Sequence, residues 1–187
     1  MSELAVPLPP PLAAPRRATL RFMLGSPLHA LALGFGSGLS PKAPGTVGTL
    51  WAWFAFLALQ PRLGDLQWAA ALTGGFLVGC WACTVTARRL AQADPGCIVW
   101  DEVIAFWLVL WLVTPASLPA QGVAFVLFRF FDAVKPGPVA WADALFKPRH
   151  GADRASPIGW TQGFGIMFDD LVAALCTLLV VAAWRFW

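Results

Sequence analysis

Charged residues are absent from four long windows, residues 47–61, 66–87, 103–128 and 171–184, and this constrains the fold more than any motif does. Each window holds most of a membrane-spanning helix of about 20 residues, once partly polar flanks reach the interface. Backbone N–H and C=O groups find no water in hydrocarbon, so such segments satisfy one another as helices. The window 103–128 contains Pro115 and Pro119, with Thr114 and Ser117 beside them. That cluster breaks helices and makes turns, so the window divides in two. The expected fold is all-α, an integral membrane bundle of about five helices near 46–60, 66–87, 98–113, 119–134 and 166–186. Composition agrees: 58% of residues are apolar and 12% are charged, against about a quarter charged in soluble domains.

Residues 1–25 are rich in Pro and Ala and form an expected disordered tail, followed by one membrane-embedded domain over 26–187. Arg16 and Arg17 ahead of an apolar stretch resemble a targeting signal, but Gly34, Gly36 and Gly38 interrupt it and no small-residue cleavage site closes it. The net charge of +3 is small and its basic residues are dispersed, which gives little support for a nucleic-acid surface. The cysteines Cys80, Cys83, Cys97 and Cys176 define no disulfide framework. Cys80 and Cys83 form a C-x-x-C pair without a βαβ context, and read as small helix residues.

Basic residues set the topology. Arg16, Arg17, Arg21 and Lys42 precede the first long helix, Arg88 and Arg89 follow the second, and Lys135, Lys147, Arg149 and Arg154 lie between the last two. Arg62 and Arg185 fall on the other side. The positive-inside rule therefore makes the N-terminus and both basic loops cytoplasmic. In that frame Asp101, Glu102, Asp132, Asp169 and Asp170 all reach the cytoplasmic end at one depth. The i, i+3 spacing of Arg129 and Asp132 puts them on one helix face, with Lys135 a turn further toward water. Carboxylates converging in this way need a cation among them. Mg²⁺ suits carboxylate and water ligands and is commonly shared with substrate phosphate. Zinc is disfavoured, because His29 and His150 are far apart and lack ligand spacing.

A second polar motif, GFGSGLSPKAPGT at 34–46, precedes the first long helix. Gly34, Gly36, Ser37 and Gly38 permit close backbone approaches, Lys42 is cationic, and Thr46 is placed to cap the helix. The segment reads either as a glycine-rich linker, the more ordinary choice, or as a cradle for an anion at a helix N-terminus.

Each acidic pair also has a structural reading as a helix cap, since carboxylates are favoured in a first turn. Arg129 reads alternatively as a salt-bridge partner of Asp132, and Asp143 as part of a solvated loop. The coincidence of two acidic pairs with Arg129 and Asp132 favours a site. Trp100, Trp107, Trp111 and Trp141 read as interfacial anchors and packing. Gly74, Gly75 and Gly79 are expected to let the second long helix pack closely. A small ion-coupled transporter with a carboxylate cation site is the alternative reading; it calls for charges near the midplane and internal repeats, and the sequence has neither.

GFGSGLSPKAPGTVGTL at 34–50, DPGCIVWDE at 94–102, FRFFDAVKPGPV at 128–139 and GFGIMFDD at 163–170 closely resemble the phosphatidylglycerophosphatase A family of bacterial membrane lipid phosphatases. Two departures touch the last motif: Gln162 precedes Gly163 where the family has a glycine pair, and the 147–161 connection is long. The resemblance implies hydrolysis of phosphatidylglycerophosphate to phosphatidylglycerol at the cytoplasmic face of the bacterial inner membrane, with Mg²⁺ and a phospholipid substrate. The expected metal ligands are Asp101, Glu102, Asp169 and Asp170. Ser37, Lys42, Thr46, Arg129 and Lys135 are the expected phosphate-binding residues, and Asp101, Asp132 and Asp170 the expected catalytic ones. Spacing leaves open which carboxylate acts as base or nucleophile.

Overall fold

The computed structural model describes residues 15–146 and 158–186, with side chains to Trp184. Among the described residues, eight α-helices follow in order: α1 (Leu20–Leu24), α2 (Pro27–Ala32), α3 (Pro44–Leu59), α4 (Asp65–Leu90), α5 (Trp100–Val113), α6 (Leu118–Val134), α7 (Pro138–Phe146) and α8 (Trp160–Phe186). A 3₁₀ segment, Gly34–Leu39, links α2 to α3, and there is no strand among the described residues. Two helices, α4 and α8, are long and apolar enough to cross a membrane. α3, α5 and α6 are shorter, at 16, 14 and 17 residues.

The break between α5 and α6 falls at the proline cluster. α5 stops at Val113, and the Ser117 side chain accepts from the Ala120 N–H to open α6, with Pro119 in its first turn. α8 differs from expectation. It begins at Trp160 rather than near 166, because Phe164 and Phe168 stack on each other and both meet Phe146 of α7 edge-on. Asp169 and Asp170 therefore lie well inside the helix rather than in its first turn, which removes the helix-capping explanation for them. Helix α3 starts at Pro44 with Ala43 in the left-handed region, so Thr46 falls inside the first turn and is not its cap. The 1–25 tail falls largely outside the described residues, and its described part carries α1, capped by Thr19. His150 and the basic residues Lys147, Arg149 and Arg154 also lie outside them.

α5 is the centre of the bundle, with nine of the twelve residues Glu102–Val113 buried. It packs against α3, α4, α6 and α8. Small residues allow the close crossings. On α4, Gly75 faces Ile104 and Trp100, and Gly79 faces Trp100 and Met167, whereas Gly74 faces open space. The Trp100 indole N–H donates to the Gly75 carbonyl at 2.9 Å, and that of Trp107 to the Ala52 carbonyl at 2.8 Å. Trp100 and Trp107 are thus buried packing residues rather than interfacial anchors; Trp141 is exposed, and Trp111 bonds Asp65 on α4. The outer surfaces of α3, α4, α6 and α8 carry exposed Phe54, Leu77, Val126 and Leu179. Large apolar side chains thus lie on the outside of these helices as well as in the core.

Candidate active site

The site forms where the first turn of α5, the last turns of α6 and the third turn of α8 meet. Asp101, Glu102 and Asp170 each bring a carboxylate oxygen within 4.8 Å of the other two, so these three could hold a metal ion. Glu102 and Asp170 are buried. Asp101 Oδ1, Glu102 Oε2 and Asp170 Oδ2 are shielded from solvent with no hydrogen-bond partner among the described residues. Buried polar atoms are seldom left unpaired, so three orphaned oxygens in one cluster call for a ligand.

Arg129 closes one side. Its guanidinium pairs with Asp132, one turn along α6, and lies 3.6 Å from Glu102. A contact of 3.5 Å also reaches Thr49 Oγ1, which itself donates to the Gly45 carbonyl. The Arg129 Nε is buried without a partner, leaving an N–H donor unused beside the carboxylates. A phosphate oxygen is the natural acceptor for such a group.

On the other side Lys135 bridges two helices. Its ammonium pairs with Asp169 of α8 and, at 2.6 Å, with Asp143 of α7. Burial disfavours the charge, yet these bonds outweigh it and raise the Lys135 pKa above its ordinary value, so the residue stays cationic. Asp169 is thus held by Lys135 and falls outside the three-carboxylate cluster. Asp143, expected to be a solvated loop residue, is instead part of the site's ion-pair network. Only the existence of α7 reveals it, since that helix folds back on α8.

The glycine-rich motif serves mainly by close approach. Gly34 meets Val99, Gly38 meets the Cys97 carbonyl and Gly48 meets Val99, so the motif packs on the strand of chain that delivers Asp101. Gly34 and Gly36, with Phe35 between them, adopt positive φ. Ser37 donates to the Gly34 carbonyl at 2.8 Å, Lys42 is exposed, and Thr46 is half-buried in the first turn of α3. Ser37 spends its hydroxyl on its own loop rather than on the carboxylates. Gly45 does meet the site: a side chain there would collide with the Glu102 carboxylate and the Arg129 guanidinium. Neither Gly45 nor Thr49 stood out in the sequence, and the proximity of α3 to Arg129 is their only signal.

Clustered carboxylates facing a guanidinium, within an all-helical bundle that has two helices long and apolar enough to cross a membrane, form a donor set suited to a cation and a phosphate ester. The chain belongs to the phosphatidylglycerophosphatase A family, whose model matches residues 30–185. It is 36% identical to the phosphatidylglycerophosphatase A of Haemophilus influenzae over 167 residues, covering 89% of this chain and 94% of the relative. Against the phosphatidylglycerophosphatase A of Escherichia coli K12 it is 37% identical over 161 residues, 84% of this chain and 83% of the relative. A Bacteroides thetaiotaomicron protein provisionally named a phosphatidylinositol-3-phosphatase is 35% identical over 161 residues, 81% of this chain and 89% of the relative. No solved structure matches the chain.

Proposed function

We propose that this chain hydrolyses the terminal phosphomonoester of phosphatidylglycerophosphate, giving phosphatidylglycerol and phosphate. The observation that carries the reading is the cluster of Asp101, Glu102 and Asp170 with three unpaired buried oxygens beside the unpaired Arg129 N–H. The donor set is all carboxylate oxygen, which suits Mg²⁺ and not zinc. Asp101, Glu102 and Asp170 would hold the ion. When bound, Mg²⁺ supplies charge neutralisation on phosphoryl oxygens and activation of water at neutral pH.

The chain's own residues do the rest. Arg129, oriented by Asp132, donates to the phosphate and stabilises charge as the ester oxygen departs. Asp132, within electrostatic range of Glu102 and Asp170, accepts a hydrogen bond from the attacking water and aligns it. Lys135 keeps Asp169 in place and adds positive potential at the mouth. The bundle spans the bacterial inner membrane through α3, α4, α5, α6 and α8, with the site at the cytoplasmic face. Support comes from the basic residues that cluster at the ends nearest the site.

The test is phosphate release by purified protein in detergent from phosphatidylglycerophosphate, with Mg²⁺ and with EDTA. Release that needs Mg²⁺ is expected. No release in either condition would remove the reading, and release undiminished by EDTA would remove the metal.

A further inference from the structure

The first described turns of the chain build a surface that the carboxylate site does not use. The Arg16 N–H donates to the Leu90 carbonyl at 2.9 Å, and Gln92 Nε2 donates to the Arg16 carbonyl at 2.9 Å. This strap sets Arg16 and Arg17 against the end of α4, where Arg88 and Arg89 lie. α1 follows and is pinned from within. Met23 is buried, Phe22 stacks on His29 with ring centroids 4.3 Å apart, and His29 Nδ1 bonds Thr86 Oγ1 of α4 at 3.0 Å.

Among the described residues, nothing covers the outer face of α1. Leu20 and Leu24, one turn apart, are 60% and 71% exposed. Arg16, Arg17, Arg21, Arg88 and Arg89 are all exposed as well, Arg88 with its Nε donating to the Ile158 carbonyl. No acidic residue occurs in 15–30 or in 84–93, and Asp94 is the first to follow. Two exposed leucines within a field of five arginines match an anionic interface with an apolar layer beneath it.

We propose that α1 docks on the headgroup layer of the leaflet around the site, with Leu20 and Leu24 in the acyl boundary and the arginines on the phosphates of anionic phospholipids. The docking rests on the membrane embedding of the bundle, and not on its hydrolytic activity. It gathers anionic lipid next to the phosphatase centre, since a cationic patch raises the local concentration of opposite charge.

Trypsin reports on it directly, because Arg16, Arg17 and Arg21 are cleavage points. The full chain is placed in nanodiscs of phosphatidylcholine alone, or of phosphatidylcholine with phosphatidylglycerol, and cleavage at these arginines is followed by mass spectrometry. Cleavage about tenfold slower in the anionic discs is expected, with high salt restoring it. The Leu20→Ser/Leu24→Ser double variant, whose melting temperature serves as a folding control, is expected to lose the protection. Equal cleavage in both lipids overturns the proposal, and so does protection that survives in the folded double variant. Neither result depends on phosphate release, so failure here is separable from failure of the phosphatase reading.

Discussion

At the residue scale, Asp101, Glu102 and Asp170 stand in tension with the fold that holds them. Two ionised carboxylates within 4.8 Å repel by about 3 kcal/mol at an effective dielectric near 20. Packing forces them together, and a bound cation would relieve the repulsion. Asp170→Asn removes one of the charges while keeping the shape. Its phosphate release is expected to fall about 100-fold or more, while its melting temperature in EDTA rises by about 2–4 °C. An unchanged rate would remove Asp170 from the centre. Asp143 makes a second case. Asp143→Ala frees Lys135 from α7, and kcat is expected to fall about tenfold because Asp169 is no longer held in register. Asp143→Glu should recover most of the rate; a rate equal to that of the alanine variant would mean that the ion pair does not matter.

At the element scale, Gly45 lets α3 approach α5 and α6 at the site. Gly45→Ala places a methyl against the Glu102 carboxylate and the Arg129 guanidinium. Activity is expected to fall about tenfold with helical content by circular dichroism unchanged; full activity would show that Arg129 has room to spare. The tie between α2 and α4 depends on pH. Burial, and then the Arg89 charge, lower the His29 pKa below its ordinary 6.5. A depressed folded pKa means that neutral His29 contributes stability above the unfolded pKa, and that this is lost as pH falls from about 6.5 toward the folded value. Trypsin cleavage at Arg16 to Arg21 in neutral discs should accelerate over that window. His29→Gln should flatten the dependence, and an unaltered profile in that variant would assign it to another group.

Over the whole molecule, the path of the chain was legible where local rules govern it, and the site was legible only in part. The uncharged windows and the Thr114–Ser117 break anticipate α3 to α6 to within a few residues because hydropathy and proline act locally. The early start of α8 depends on Phe164 and Phe168 finding Phe146, a contact between separate helices that no window of sequence contains. The same limit hid Gly45, Thr49 and Asp143, whose roles exist only once α3 and α7 pack beside α5 and α8. Asp101, Glu102 and Asp170 were visible because charges in apolar surroundings are rare enough to stand out. The five crossings proposed above would put the two ends of the bundle on opposite faces. Alkaline phosphatase fused after Trp187 is therefore expected to be active in the bacterial periplasm, and inactive when fused after Gln92. Activity at both points, or at neither, would break the topology.

Asp170 sits in the third turn of α8, about 15 Å along the helix from Trp160. On the proposed reading, the reacting ester is met below the water line, near the level where a phospholipid's glycerol backbone already rests. Such a substrate has no need to be lifted from its leaflet: it drifts in sideways between helices, and only the freed phosphate has to find its way out to the cytosol.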